Sequence, residues 1–177
     1  MRRLKIGALV SLDGVQGEPR SWASAYFDDA AAAASLARLN VAGAMVMGRR
    51  TYEYFAPVWP LATGPYAERV NGIRKYVFSA TLASVDWSNA ELVAGDAVAA
   101  VRELKQDGDG DLVVYGFGRL SHALLAAGLV DELALWVHPV VLGHGESVFH
   151  AGPTTALTLS DVERAKNGVV SLRYTRE

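Results

Sequence analysis

The chain has 177 residues, a length that fits one domain with a sizeable core. Apolar residues make up 51% of it, and 17 basic against 19 acidic side chains leave a net charge of −2. These values exclude a disordered chain and argue against nucleic acid as the main partner. With no cysteine, disulfides, thiolate nucleophiles and cysteine-ligated metals are also excluded. The basic start followed by Leu4–Val10 is broken by Asp13 too early for a signal peptide, and no apolar stretch is long enough to span a membrane. The expected compartment is the cytoplasm.

Taken in order, Leu4 to Val10 reads as a central strand that ends in the turn signature Ser11-Leu12-Asp13-Gly14. Asp13 either makes a local turn with its own backbone or projects a carboxylate into a site. Val15 to Ala25 reads as a loop, in which Trp22 either folds onto the core or covers a ligand. A helix is expected from about Tyr26 to Asn40, with Asp28 and Asp29 favoured near its positive end. Ala44 to Met47 is a buried strand that stops at Gly48, and a helix opens with Arg49, Arg50 and Thr51. Cations and a hydroxyl at a helix start, where carboxylates are the norm, either suit a phosphate or leave one arginine packed along the surface.

Ala56 to Asn71 is a long connection, with one helical turn expected around Tyr66 to Val70. Trp59 and Tyr66 make it a plausible pocket wall. Lys75 to Ser79 is the third strand, and Ser79-Ala80-Thr81 at its end can cap the next turn or bind a phosphate. Glu91 to Val93 is a short strand, and Gly95 to Gln106 an amphipathic helix. Asp111 to Tyr115 is the fifth strand. It runs into Gly116-Phe117-Gly118 and a helix led by Arg119, a second strand–glycine–helix junction with a cation at the helix start. Asp131 to Val141 is a long alternating strand whose Trp136 could pair across a homodimer or be buried in the monomer. The segments Ala156 to Arg164 and Gly168 to Arg173 flank Asn167-Gly168, a hairpin signal.

Alternating strands and helices followed by a hairpin give a single α/β domain over residues 1–177, with a mostly parallel sheet and an antiparallel edge. Strands joined through helices share one C-terminal edge, where ligands of open α/β sheets bind. Two helix N-termini plus hydroxyls suit a molecule with several phosphates, and a dinucleotide fits better than a single sugar phosphate. The glycine fingerprint of ordinary dinucleotide folds is missing. His122, His138 and His144 read as structural, and no spacing suggests a metal site.

Several segments together carry a family resemblance: Val10-Ser11-Leu12-Asp13-Gly14, Met47-Gly48-Arg49-Arg50-Thr51-Tyr52-Glu53, Val114-Tyr115-Gly116-Phe117-Gly118-Arg119-Leu120, Gly128-Leu129-Val130-Asp131-Glu132-Leu133 and His138-Pro139-Val140-Val141-Leu142-Gly143. In order and spacing the chain resembles the dihydrofolate reductase-like family, and most closely the branch related to the reductase domain of bifunctional riboflavin-biosynthesis proteins. That resemblance implies a three-layer fold and NADPH as cofactor, contacted by Gly48, Arg49, Thr51, Ser79, Ala80, Thr81, Gly116, Phe117, Gly118, Arg119 and Leu120. It also implies a small heterocyclic substrate of pyrimidine or pterin type, as in 5-amino-6-(5-phosphoribosylamino)uracil reductase. Asp13 is the candidate catalytic group, and Trp22 and Trp59 are the candidate substrate walls. Where the riboflavin reductases carry an Asp-Asp-Pro segment, this chain reads Ala56-Pro57-Val58-Trp59-Pro60. The alternative from a different class is a dinucleotide-binding module without turnover, a sensor or assembly subunit.

Overall fold

The computed structural model describes residues 1–150, 152 and 154–176. In chain order its elements are β1 (Leu4–Ser11), α1 (Pro19–Trp22), α2 (Asp29–Asn40), β2 (Ala42–Gly48), α3 (Arg49–Phe55), α4 (Pro65–Gly72), β3 (Arg74–Phe78), β4 (Ala90–Val93), α5 (Ala97–Leu104), β5 (Asp111–Tyr115), α6 (Arg119–Ala126), β6 (Glu132–His138), β7 (Thr158–Arg164) and β8 (Val170–Thr175), with 3-10 turns at Ser24–Tyr26 and Trp59–Leu61. The fold is α/β, with a mostly parallel sheet of eight strands and an antiparallel C-terminal hairpin. The chain divides into two compact units, neither contiguous in sequence: Met1–Leu4 with Asp29–Tyr115, and Lys5–Asp28 with Gly116–Glu177.

The first unit holds four parallel strands in the order β4-β3-β2-β5. Ala44, Met45, Val46 and Met47 of β2 are each only 1% exposed, so this strand is covered on both faces and reads as a continuous apolar run. Its core gathers Leu39, Met45, Met47, Val70, Ile73, Val77, Trp87 and Val113, with Phe55, Trp59, Tyr66 and Tyr115 packed against it. Asp96 caps α5 by accepting the Val98 and Ala99 N–H groups at Oδ1 (2.9 and 3.2 Å), so the expected helix starts two residues after Gly95. Ala56–Asn71 carries more order than one turn: Pro65 sits in the first turn of α4, where its missing N–H costs nothing.

Lys75 is the buried exception in this unit. Its side chain is fully enclosed, and Nζ donates to the carbonyls of Asn71 (2.9 Å), Ile73 (2.8 Å) and Ser88 (3.0 Å). The Trp87 ring lies 4.5 Å away and faces the same charge. Three donors meet three acceptors, which is the condition under which an ammonium can be buried.

In the second unit the order is β1-β6-β8-β7. β1 and β6 run parallel, from Lys5 beside Glu132 to Ser11 beside His138, and the other two pairs are antiparallel. Both edges of β6 are thus occupied, and Trp136 lies on a strand with no free edge for pairing to a second copy. β6 ends at His138 rather than at Val141, because Pro139 has no N–H to extend the ladder. The stretch Val15–Ala25, expected as loop, contains α1, which opens on Pro19. Gly168 (φ +89°) turns the hairpin, and Arg173 of β8 holds exposed β7 through Asp161 (3.3 Å) and Glu163 (2.6 Å). No helix among the described residues is long and apolar enough to cross a membrane.

Candidate functional site

The residues expected to carry function fall into two sets, one in each unit. In the first unit, β2 ends at Gly48 in extended backbone, and α3 starts at Arg49 with no side-chain cap among the described residues. Arg49 Nη1 reaches Glu53 Oε1 at 3.2 Å across an exposed i,i+4 pair, a weak contact in water that an anion could displace. Thr51 Oγ1 donates to the Tyr115 carbonyl at the end of β5 (3.4 Å). Gly48 pairs with Phe78, so Ser79 follows at the same end of neighbouring strands. Ser79 Oγ accepts the N–H groups of Thr81 (3.1 Å) and Leu82 (3.0 Å) and lies 3.4 Å from Thr81 Oγ1. Its acceptor capacity therefore goes to the turn, its proton or that of Thr81 bridges the two hydroxyls, and Thr81 is exposed; Ala80 offers only backbone. Trp59 packs on Phe55 (6.1 Å) and Tyr66 (5.1 Å), and its buried Nε1 has no hydrogen-bond partner among the described residues. The Tyr66 and Tyr115 hydroxyls lie 3.4 Å apart, and burial pushes both phenols upward, so they stay neutral.

The second set centres on the loop from Gly116 to Gly118. Gly116 takes a left-handed φ of +83°, its N–H donates to Gly7 O (2.8 Å), and its carbonyl accepts from Ser121 Oγ (2.9 Å). Phe117 is fully buried, edge-on to His122 (4.6 Å) and beside Phe149 (5.2 Å). Its backbone is gripped at both polar atoms by Gln16: Phe117 N–H donates to Oε1 (2.8 Å), and Nε2 donates to Phe117 O (2.9 Å).

Gly118 differs from Gly116. Its φ of −84° is open to any residue, and a Cβ built there meets no atom within 4 Å. Neither dihedral nor packing calls for glycine at this position. It precedes α6, whose first-turn N–H groups lack intrahelical acceptors and have no side-chain cap among the described residues, and Arg119 follows, exposed. An open cradle beside bare N–H groups and a cation suits a phosphate. Leu120, the second residue of α6, is half-buried.

Asp13 has both carboxylate oxygens in use. Oδ1 accepts from Ser11 Oγ (2.6 Å) and Leu142 N–H (3.1 Å), and Oδ2 accepts from Gly143 N–H (2.8 Å). The Ser11 bond first, then the Gly143 and Leu142 amides, pull its carboxyl down to about 2. Asp13 is thus ionised at working pH and can accept a hydrogen bond but cannot serve as an acid. It clasps the turn after β6 to the turn after β1. Trp22 donates from Nε1 to Gly17 O (2.8 Å) and sets its half-buried ring edge-on to His138 at 5.2 Å. His138 Nδ1 lies 2.8 Å from Trp136 O and 3.2 Å from Val10 O; two carbonyl neighbours require the proton on Nδ1, and burial lowers the tendency of the ring to charge. Burial, then the adjacent His150, lowers His122 in the same way. His144 Nδ1 meets the Leu142 carbonyl at 2.7 Å. Gln16 and Ser121 stand outside the residues expected from the sequence, since a single polar residue in a loop or helix has no period or spacing to mark it.

Residues 3–171 match the family model of the RibD C-terminal domain. The uncharacterized protein YyaP of Bacillus subtilis (strain 168) is 30% identical over 142 residues, which cover 77% of this chain and 75% of that protein. A candidate riboflavin biosynthesis protein from Shewanella sp. PV-4 has a similar structure, with a TM-score of 0.78, 22% identity and 99% of each chain covered. The Thermotoga maritima diaminohydroxyphosphoribosylaminopyrimidine deaminase/5-amino-6-(5-phosphoribosylamino)uracil reductase is similar at a TM-score of 0.71 and 15% identity, over 98% of this chain and 56% of that one. At these identities the structural likenesses speak for the fold alone.

Proposed function

The chain belongs to the RibD C-terminal domain family, which is reductase-like, and from that membership we propose that it is an NADPH-dependent reductase of a small heterocycle of pyrimidine or pterin type. The observation that carries this reading is Gly118, a glycine required by neither its own backbone nor its neighbours, at the start of α6, which has no side-chain cap among the described residues. Gly116, Phe117, Gly118, Arg119 and Leu120 would hold a phosphate group of the cofactor. Gly48, Arg49, Thr51, Ser79, Ala80 and Thr81 would supply further contacts, with Arg49 serving the pyrophosphate or the 2′-phosphate. When bound, NADPH supplies the hydride, so the chain itself needs only to position and to exclude water. Trp22 and Trp59 are the proposed substrate walls. Ala56–Pro60 in place of the acidic segment of riboflavin reductases favours a heterocycle other than the phosphoribosyl substrate. We place the protein in the cytoplasm, acting on a small molecule, with room for a homodimer that does not use the edges of β6.

Asp13 enters this proposal as a carboxylate at the reacting end. A carboxylate has about four acceptor sites, and other residues fill three of them, so a ring N–H or a water would meet Oδ2 alongside the residue's own N–H. Asp13→Asn puts an NH2 group against a backbone N–H of the Leu142–Gly143 turn or against the ligand. We expect NADPH affinity to persist and the reduction rate to fall about tenfold or more. Because its folded pKa is depressed to about 2, the clasp is intact above about pH 4 and is lost only as pH falls towards 2. No limb of the pH–rate profile between pH 5 and 9 should therefore disappear in the variant. An unchanged rate would make Asp13 a turn residue only.

The test of the function is a screen of NADPH oxidation against pterins, pyrimidinediones and other conjugated heterocycles. Oxidation dependent on one acceptor class supports the reductase. Tight NADPH binding with no oxidation against any of them would favour the module without turnover.

A further inference from the structure

We propose that Gln16 is a positioning residue of the cofactor site, whose side-chain amide holds the Gly116–Gly118 loop in its receiving shape. This rests on the reading of that loop as a phosphate cradle. Two bonds of 2.8 and 2.9 Å pair the Gln16 amide with both polar backbone atoms of Phe117, as a neighbouring strand would. The orientation of the amide is fixed by its partners, since Oε1 must face the N–H and Nε2 the carbonyl.

The partner residue is 101 positions away, so the pairing is made by the fold and not by local chain geometry. Gln16 is itself held: its own N–H donates to Glu146 O (3.0 Å), and Val15 before it bridges to Ser147. On the other side, Gly7 and Ser121 occupy the two polar atoms of Gly116. Every backbone polar atom of Gly116 and Phe117 is thereby committed to the protein. The donors left for an anion begin at Gly118 and the first turn of α6. A phosphate that meets a loop already held in place does not have to order it, and this is the source of the affinity assigned to Gln16. No ionisable side chain makes these bonds, so the clamp does not titrate.

Gln16→Met keeps the length of the side chain and removes both hydrogen bonds; Gln16→Glu keeps the acceptor and removes the donor. Hydrogen exchange of the Phe117 amide in the free protein and calorimetric titration with NADPH are measured on the wild type and both variants. For Gln16→Met we expect Phe117 protection to fall at least tenfold and the NADPH Kd to rise at least tenfold, with the melting temperature within a few degrees of wild type. In turnover, KM for NADPH should rise while kcat is largely kept. For Gln16→Glu, Phe117 stays protected in part and Kd rises less; this variant decides the matter if Gln16→Met does not fold. A Kd within twofold of wild type in the folded variant overturns the proposal, as does a fall in kcat with KM unchanged. Failure of the wild type to bind NADPH overturns the cradle together with the proposal, while weak binding by the variants alone separates the two.

Discussion

Gly118→Val is expected to raise the Kd for NADPH about a hundredfold or more while leaving the protein folded. The site demands little of the residue for folding: φ is −84°, and a Cβ there meets nothing within 4 Å. Valine at the residue before α6 loses a favoured helix-capping type, a cost of about 1 kcal/mol at most. On the ligand side the isopropyl group fills the space through which a phosphate reaches the first-turn N–H groups. Losing two charge-assisted hydrogen bonds at about 1.5–3 kcal/mol each, with tenfold in affinity per ~1.4 kcal/mol, gives the hundredfold figure. Gly116→Val makes the useful contrast. Gly116 sits at φ +83°, so valine there strains the backbone and costs stability as well as binding. Calorimetric titration and thermal melts of both variants separate the two effects. Normal NADPH binding by folded Gly118→Val would mean that α6 does not start at a phosphate.

Lys75→Met is expected to destabilise the protein by about 1–3 kcal/mol, read as a lower denaturant midpoint. Methionine fits the volume but leaves the carbonyls of Ile73 and Ser88 without the ammonium; Asn71 O retains the Asn89 amide at 3.0 Å. The orphaned Ile73 carbonyl is buried and costs about 1–3 kcal/mol, the part-buried Ser88 carbonyl costs less because water can reach it, and the removal of a buried charge offsets part of the sum. The pH dependence checks the cause. Burial, with the charge of Arg69 second, draws the Lys75 ammonium down to about 8, below its unfolded value. Between these two values the unfolded chain binds more protons at this site, so Lys75 makes wild-type stability rise with pH from about 8 towards 10. Lys75→Met should lack that rise. A variant as stable as wild type at pH 7 would show that the three carbonyls find other donors.

The buried strands were legible because burial on both faces leaves an unbroken apolar run: Ala44 to Met47 lies within β2, and Asp111 to Tyr115 is β5. Both strand–glycine–helix junctions are where the sequence put them, since glycine after such a run followed by helix formers has few other structures. Element ends were less legible. Asp96, not Gly95, caps α5, and β6 stops at His138 because the proline next to it cannot donate. Pro19 and Pro65 lie in stretches read as a loop and as a long connection, yet each stands in the first turn of a helix. What the sequence could not show is partnership at a distance. Asp13 finds its amides 129 and 130 residues away, and Gln16 finds Phe117 101 residues away. Lys75 looked like the first residue of a strand; only the carbonyls of Asn71, Ile73 and Ser88 make its burial intelligible.

Parallel calorimetric titrations of the purified protein with NADPH and NADH test the cofactor assignment. Saturable binding of NADPH at one site per chain is expected, with at least tenfold weaker binding of NADH, because arginine and hydroxyl groups gain a partner in the additional phosphate. Rising salt should weaken NADPH more than NADH. Equal affinities would contradict the assignment of those groups to the 2′-phosphate, and no binding of either cofactor would mean that neither strand–glycine–helix junction is a dinucleotide site.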